Sequence, residues 1–216
     1  MVELESEPIV SNRWPPSRNN MPDLSHLDNQ LTLNLILKAL VFKAGYANLK
    51  AKALWTGYVK LVDRLILEYN EAGLALDGYV HTPEDIVAPL FRATAHMESC
   101  LATLLKAVRF ARRLRMDRDC PNVGHLTAIS DEVLDRLKRI RAAVEKLEEK
   151  ILDRSIRDAD PVLMMVKRDG VEIGDEVISY HDLSRWIEEL HRLATHLTDY
   201  REPVTEQTRQ REHETE

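Results

Sequence analysis

Apolar residues recur along most of this chain at alternating steps of three and four, the pattern of helices with one buried face. The first such run covers residues 31 to 42 and follows a capping-box-like pattern from Ser25 to Asp28. We therefore predict that a first helix begins near Ser25.

The next apolar run, residues 54 to 66, keeps helical spacing although Gly57 lies inside it and Gly45 lies before it. This pattern is compatible with one long bent helix that includes the first run, or with two helices in sequence. Thr82 can then cap a new helix with Pro83 in its first position, and the apolar spacing carries that helix to near Arg118.

An aperiodic connection at residues 119 to 128 precedes Ser130, which is predicted to cap another helix. The apolar positions of that helix, between residues 133 and 151, form a narrow seam suited to packing along a neighbouring helix. Beyond it the period changes to that of short strands, which predicts a β-hairpin at about residues 162 to 178. A capping-box-like pattern from Ser179 to Asp182 opens a final helix.

These elements predict an all-α fold, an antiparallel up-and-down helix bundle with a small β-hairpin before the C-terminal helix. One domain is expected at residues 24–202, since the chain has 216 residues and 44% hydrophobic residues. Residues 1–23 contain four prolines and residues 203–216 almost no apolar side chains, so both are predicted to be disordered.

The formal net charge of −6 means that attraction to a polyanion must come from a local patch rather than from the whole chain. Cys100 lies among apolar helix positions and Cys120 is in no CxxC pair, which favours a reducing compartment. The sequence shows neither a signal peptide nor a long apolar run. We expect a soluble, cytoplasmic protein that does not associate with membranes.

Motifs of common catalytic and cofactor sites are missing from the sequence. Its eight histidines form neither HExxH nor a zinc spacing, and it has no P-loop, GxGxxG or GxSxG motif. We therefore predict neither a metal nor a cofactor. Arg92 and His96 are four residues apart, a spacing that suits the lip of a site but is more typical of an exposed helix pair.

The segment from Lys106 to Arg118 is the best candidate for a polyanion-binding patch. It holds six basic residues and one acidic residue, and Phe110 is available for stacking. The candidate RNA-binding residues are Arg109, Arg112, Arg113 and Arg115, with Arg139 from the next helix. The alternative is a solvated helix end whose cations complement the C-terminal helix dipole.

The order of elements, and above all the segment IRAAVEKLEEKI at residues 140–151, resembles the HEPN superfamily of helical-bundle proteins over residues 28 to 200. In that family a late helix carries an arginine, usually a polar residue next, and a histidine after about four to six intervening positions, which support metal-independent RNA cleavage. Arg141 matches the arginine, whereas Ala142 and Lys146 replace the polar residue and the histidine. Family members commonly dimerise with the motif helices facing one cleft.

The resemblance implies a homodimeric, HEPN-like, RNA-associated protein of a prokaryotic toxin–antitoxin, defence or RNA-handling system, with its nuclease activity weakened or lost. Arg141 and Lys146 would occupy the degenerate catalytic positions. A lysine near its usual pKa of about 10.4 is a poor substitute for an imidazole near about 6.5. The alternatives are a non-enzymatic protein-interaction or dimerisation module, with Arg141 paired to Glu145, and an active nuclease that uses Lys146 or His96.

Overall fold

A computed structural model describes residues 20–42, 49–81, 87–118, 120, 127–155, 164–173 and 176–199. Most of these residues are helical, which confirms the predicted all-α bundle with a small β element before the final helix. The helices are α1 (Leu31–Phe42), α2 (Leu49–His81), α3 (Val87–Met116), α4 (Asp131–Leu152) and α5 (Tyr180–Asp199). The strands are β1 (Met165–Val166), β2 (Gly170–Ile173) and β3 (Glu176–Ser179).

The first helix starts later than the sequence predicted, at Leu31 rather than near Ser25. Its first amides are capped from another helix, because the Asp63 carboxylate of α2 accepts from the Leu31 and Thr32 backbone N–H groups at 3.1 and 2.8 Å. This contact also shows whether the first two apolar runs form one long bent helix or two helices. Residues 31 and 63 could not meet within one continuous helix, so α1 and α2 are two separate helices.

Helices α2 and α3 form the main antiparallel pair of the bundle, and α2 continues well past residue 66 through Gly73 and Gly78. Gly57 of α2 allows close approach of α3, since a Cβ atom there would lie 2.9 Å from Cε1 of Phe110. The core between the helices includes fully buried Tyr58, and Cys100 is buried as a small apolar residue.

Helix α4 begins as predicted, with the Ser130 hydroxyl accepting from the Val133 backbone N–H at 3.3 Å. It runs antiparallel to α3, because Arg112 near the end of α3 contacts Asp131 at the start of α4. The predicted hairpin is a three-stranded antiparallel sheet in the order β1-β2-β3. A Cβ at Gly170 would lie 2.0 Å from the Ile178 carbonyl oxygen, so this strand position requires glycine.

Helix α5 closes the core. The predicted capping box is present, with the Ser179 hydroxyl accepting from the Asp182 backbone N–H at 3.0 Å. Tyr58 donates to the Leu190 carbonyl oxygen at 2.8 Å, deep in the bundle. The Glu189 carboxylate, 5% exposed, accepts from the backbone N–H and hydroxyl of Thr127 and from the Ala128 N–H, which fastens the segment before α4 to α5.

The described part of the predicted N-terminal arm packs on the fold. Met21 is buried, as is Leu24 directly after the arm, and the Pro22 carbonyl oxygen accepts from the Tyr69 hydroxyl at 3.0 Å. Residues 20–23 therefore belong with the domain, whereas the rest of the arm and the predicted C-terminal tail lie outside the described residues. None of the described helices combines the length and apolar character needed to cross a bilayer.

Candidate functional site

A row of cations runs along the exposed face of α3. Lys106, Arg109 and Arg113 are all exposed, and their spacing of three and four residues places them on one side of the helix. None of the three has a hydrogen bond or ion pair with another residue of the described ranges. We call these three residues the basic stripe.

The other predicted RNA-binding arginines interact with groups of the fold. Arg112 donates to the Asp131 carboxylate at 2.5 Å and to the Ser130 carbonyl oxygen at 3.2 Å, which joins α3 to the start of α4. Arg139 donates to the Glu176 carboxylate at 2.5 Å, and this hydrogen bond holds the pKa of Glu176 below its ordinary value. Arg115 is exposed but also has an interaction partner. Among the predicted RNA-binding arginines, Arg109 and Arg113 are thus the two without a partner in the described ranges.

The two positions of the degenerate motif are both exposed on α4 but differ in their surroundings. Arg141 donates through Nε to the Glu145 carboxylate at 2.7 Å, the pairing that the alternative interpretation expected. Arg141 and Lys146 are five positions apart, so their side chains leave the helix about 140° apart. Arg141 lines a groove, whereas Lys146 is not among the residues that line it.

That groove lies between α3 and α4 and has a volume of about 260 Å³. Most of its lining residues are apolar, and one of them, Ile173, belongs to β2. The lining residues are Leu101, Ala102, Leu137, Ile140, Val144 and Ile173, together with the charged residues Glu98, Lys106, Arg141 and Glu145. Lys106 belongs to both the groove and the basic stripe, so the two features are continuous.

The prediction that Phe110 is available for stacking is wrong. Its ring is half-buried and packs against the core beside Gly57, on the side of α3 that faces α2. An aromatic ring held in this way is not available for stacking on a base of a bound strand. The sequence could not reveal this, because Phe110 stands between exposed Arg109 and buried Ala111 at the edge of the apolar face.

His96 has a different partner from the one that its spacing suggested. Its Nδ1 lies 2.9 Å from the Glu68 carboxylate of α2, and Arg64 donates to the same carboxylate at 3.3 Å. Partial burial raises the pKa of Glu68, but hydrogen bonds from His96, Ser99 and Arg64 outweigh it and hold that pKa below its ordinary value. The cluster ties α2 to α3. Sequence reasoning missed Glu68 because the register of two helices cannot be read from either alone.

A second, open cavity of about 480 Å³ lies beside α5, lined by Thr127, Ala128, Arg185, Glu188, Glu189 and Arg192. The buried carboxylate in its wall, Glu189, is already engaged by backbone and hydroxyl donors. Glu189 therefore holds the segment before α4 in place and is not available as a reactive group in this cavity.

No group of three or more His, Cys, Asp or Glu side chains within the described ranges is arranged to hold a metal ion. Comparison of the chain with protein-family models, with curated proteins and with solved structures finds no match. Evidence for the role of the basic stripe and the adjoining groove therefore comes from the charge, exposure and shape of their residues.

Proposed function

We propose that this chain is a HEPN-like, RNA-associated protein that holds RNA on the basic stripe and does not cleave it with Arg141 and Lys146. The main support for this proposal is the basic stripe, whose three cations are exposed on one helix face and have no partner among the described residues. Such cations are available to neutralise phosphates without first breaking an ion pair. A role in a prokaryotic toxin–antitoxin, defence or RNA-handling system belongs to this proposal through the family resemblance.

The stripe accounts for how an acidic chain can bind a polyanion. The net charge of −6 repels RNA at long range, but contacts with phosphates act over distances near the Debye length of about 8 Å at physiological salt. Three phosphate contacts to single-stranded RNA would give a slope of about −2 in a plot of log K against log salt. Binding should therefore be modest and strongly salt-dependent.

Weak or absent cleavage follows from the groups on α4. Cleavage by the RNA's own 2′-hydroxyl needs a base, an acid and positive charge at the phosphorane. Arg141 is paired with the Glu145 carboxylate, whose negative charge would oppose that of a phosphorane bound to Arg141. Lys146 leaves the helix in another direction, and lysine is ordinarily protonated at neutral pH. We therefore expect neither Arg141 nor Lys146 to substitute for the histidine of the family motif.

The test is RNA binding by fluorescence anisotropy at low and moderate salt, with cleavage followed by gel on the same samples. The variant Lys106→Ala, Arg109→Ala, Arg113→Ala should lower affinity by about tenfold or more and flatten the salt slope. Its matched control removes the same charge elsewhere, through the exposed residues Lys60, Arg92 and Arg185 changed to alanine. Equal losses in both variants, or no binding by wild type, would overturn the proposal.

Cleavage is judged separately. Wild type should leave the RNA intact, and Arg141→Ala should change neither this result nor the fold. Cleavage by wild type that disappears in Arg141→Ala would instead establish a working nuclease at this position. Cleavage that persists in Arg141→Ala but is lost in His96→Ala would move the chemistry to the Glu68–His96 cluster.

A second candidate function, a dimerisation or protein-interaction module, is favoured by one apolar surface. Leu67 and Leu74 of α2 lie seven residues apart on one helix face and are 47% and 53% exposed, and Phe91 of α3 is 53% exposed. Large exposed apolar side chains of this kind are common at interfaces. Analytical ultracentrifugation of wild type and Leu74→Glu tests this candidate, which predicts a dimer that the substitution dissociates.

A further inference from the structure

Where the basic stripe meets the groove, the surface changes from charged to apolar. Lys106 is the shared residue, Arg109 and Arg113 continue the stripe toward the end of α3, and the groove extends from Lys106 toward Leu101 and Glu98. A strand whose phosphates follow the stripe would therefore have one of its nucleotides beside an apolar cavity.

We propose that the groove between α3 and α4 is a pocket for one unpaired nucleobase of a single-stranded RNA. This inference rests on the proposed function and adds the site and the class of nucleic acid. Duplex RNA keeps its bases stacked and paired, so it offers the groove only phosphates and 2′-hydroxyls. A single strand can turn a base out, and the apolar lining residues can cover its faces.

The charged residues of the groove are two acids, Glu98 and Glu145, and two bases, Lys106 and Arg141, so the groove has no net positive charge to hold a phosphate. Glu98 and Glu145 both line it, and they would repel a phosphate that entered. A neutral base meets no such repulsion. Carboxylates also accept hydrogen bonds from exocyclic amino groups, and the Glu145 carboxylate retains acceptor capacity while Arg141 occupies one position. Cytosine and adenine offer an exocyclic amino group, whereas uracil offers only its N3–H, so we expect the groove to prefer bases that carry an amino group.

The groove also has the dimensions and rigidity that such a pocket requires. Its volume of about 260 Å³ suits one base with some water rather than a helix or a folded partner. Its apolar lining residues Leu137, Ile140 and Ile173 are buried in the core, so the cavity does not have to be opened before binding. Preformed apolar pockets with a few polar groups at the edge are typical of small-ligand sites.

The experiment compares four labelled RNA probes in fluorescence anisotropy: a short oligocytidylate, an oligouridylate of the same length, an abasic strand of the same length, and a duplex. Ala102→Phe fills the groove without a charge change, because Ala102 is exposed and lines it. The matched control is Ala95→Phe, an exposed alanine on the same helix that does not line the groove. Circular dichroism checks that both variants fold, and Ala102→Leu gives a smaller version of the same block.

The expected result is that oligocytidylate binds about tenfold more tightly than the abasic strand, with oligouridylate between them. Ala102→Phe should reduce the affinity for oligocytidylate to that for the abasic strand and should leave the affinity for the abasic strand unchanged. Ala95→Phe should change neither affinity. Equal binding of oligocytidylate and the abasic strand, or insensitivity to Ala102→Phe, would overturn the base pocket while the stripe proposal stands. Equally tight binding of oligouridylate and oligocytidylate would overturn the role of the carboxylates. No binding of any probe would instead refute the proposed function itself.

Discussion

The same substitution at two glycines of α2 should change stability in opposite directions. At Gly78 an added Cβ meets no atom within 4 Å, so Gly78→Ala keeps only the benefit of a better helix former, about 0.5–1 kcal/mol. At Gly57 the Cβ would lie 2.9 Å from Cε1 of Phe110, against an optimal carbon–carbon separation of about 3.5–4.0 Å. Overpacking of this kind costs about 1–3 kcal/mol, which exceeds the gain in helix propensity.

The two variants are compared by thermal unfolding followed by circular dichroism. For a chain of this size about 1 kcal/mol corresponds to about 2–4 °C in Tm, so Gly78→Ala should raise Tm by a few degrees and Gly57→Ala should lower it. Adding Phe110→Leu to both wild type and Gly57→Ala removes the ring atom that the new methyl group meets, and the penalty of Gly57→Ala should shrink. Equal effects of the two alanines, or an undiminished penalty in the Phe110→Leu background, would refute the close contact between α2 and α3.

Three further predictions concern polar groups that are wholly or partly removed from solvent. Glu189→Ala should destabilise the fold by about 2–4 kcal/mol in urea unfolding, because the Ala128 N–H and the Thr127 donors lose a charged acceptor. The control Glu188→Ala, at the exposed neighbouring residue, should change stability by less than about 0.5 kcal/mol. Asp63→Ala should cost about 0.5–2 kcal/mol and speed hydrogen exchange of the first amides of α1; exchange at the wild-type rate would contradict this capping role. Burial lowers the pKa of His191, so the folded state binds this proton less tightly than the unfolded state does. The free energy of unfolding should therefore fall as the pH drops below about 6.5. His191→Gln should reduce this dependence of the unfolding free energy on pH.

Local signals in the sequence were sufficient for much of the fold. Ser130 and the Ser179–Asp182 pair were recognisable because a cap and its target amide lie within three residues. The start of α1 was mispredicted for the opposite reason. Its cap, Asp63, lies on another helix, so no local pattern near Ser25 carries that information.

The candidate site was only partly predictable, because charge patterns locate cations but do not reveal their partners. The sequence identified the basic segment and the possible pairing of Arg141 with Glu145, since four-residue spacing is visible. It did not reveal that Glu176 of β3 engages Arg139, since that partner lies 37 residues away in the chain. The groove was invisible for the same reason, as it needs the register between α3 and α4.

The closure of the core by α5 has a consequence during synthesis on the ribosome. Tyr58 and the rest of α2 are translated well before Leu190, the residue whose carbonyl oxygen receives the Tyr58 hydroxyl. At roughly 5–20 residues per second, the nascent bundle waits on the order of ten seconds for its last described helix. Throughout that interval the faces of α2 and α3 that α5 later covers remain open to water and to other chains. A chain that lacks α5 would keep those faces exposed permanently.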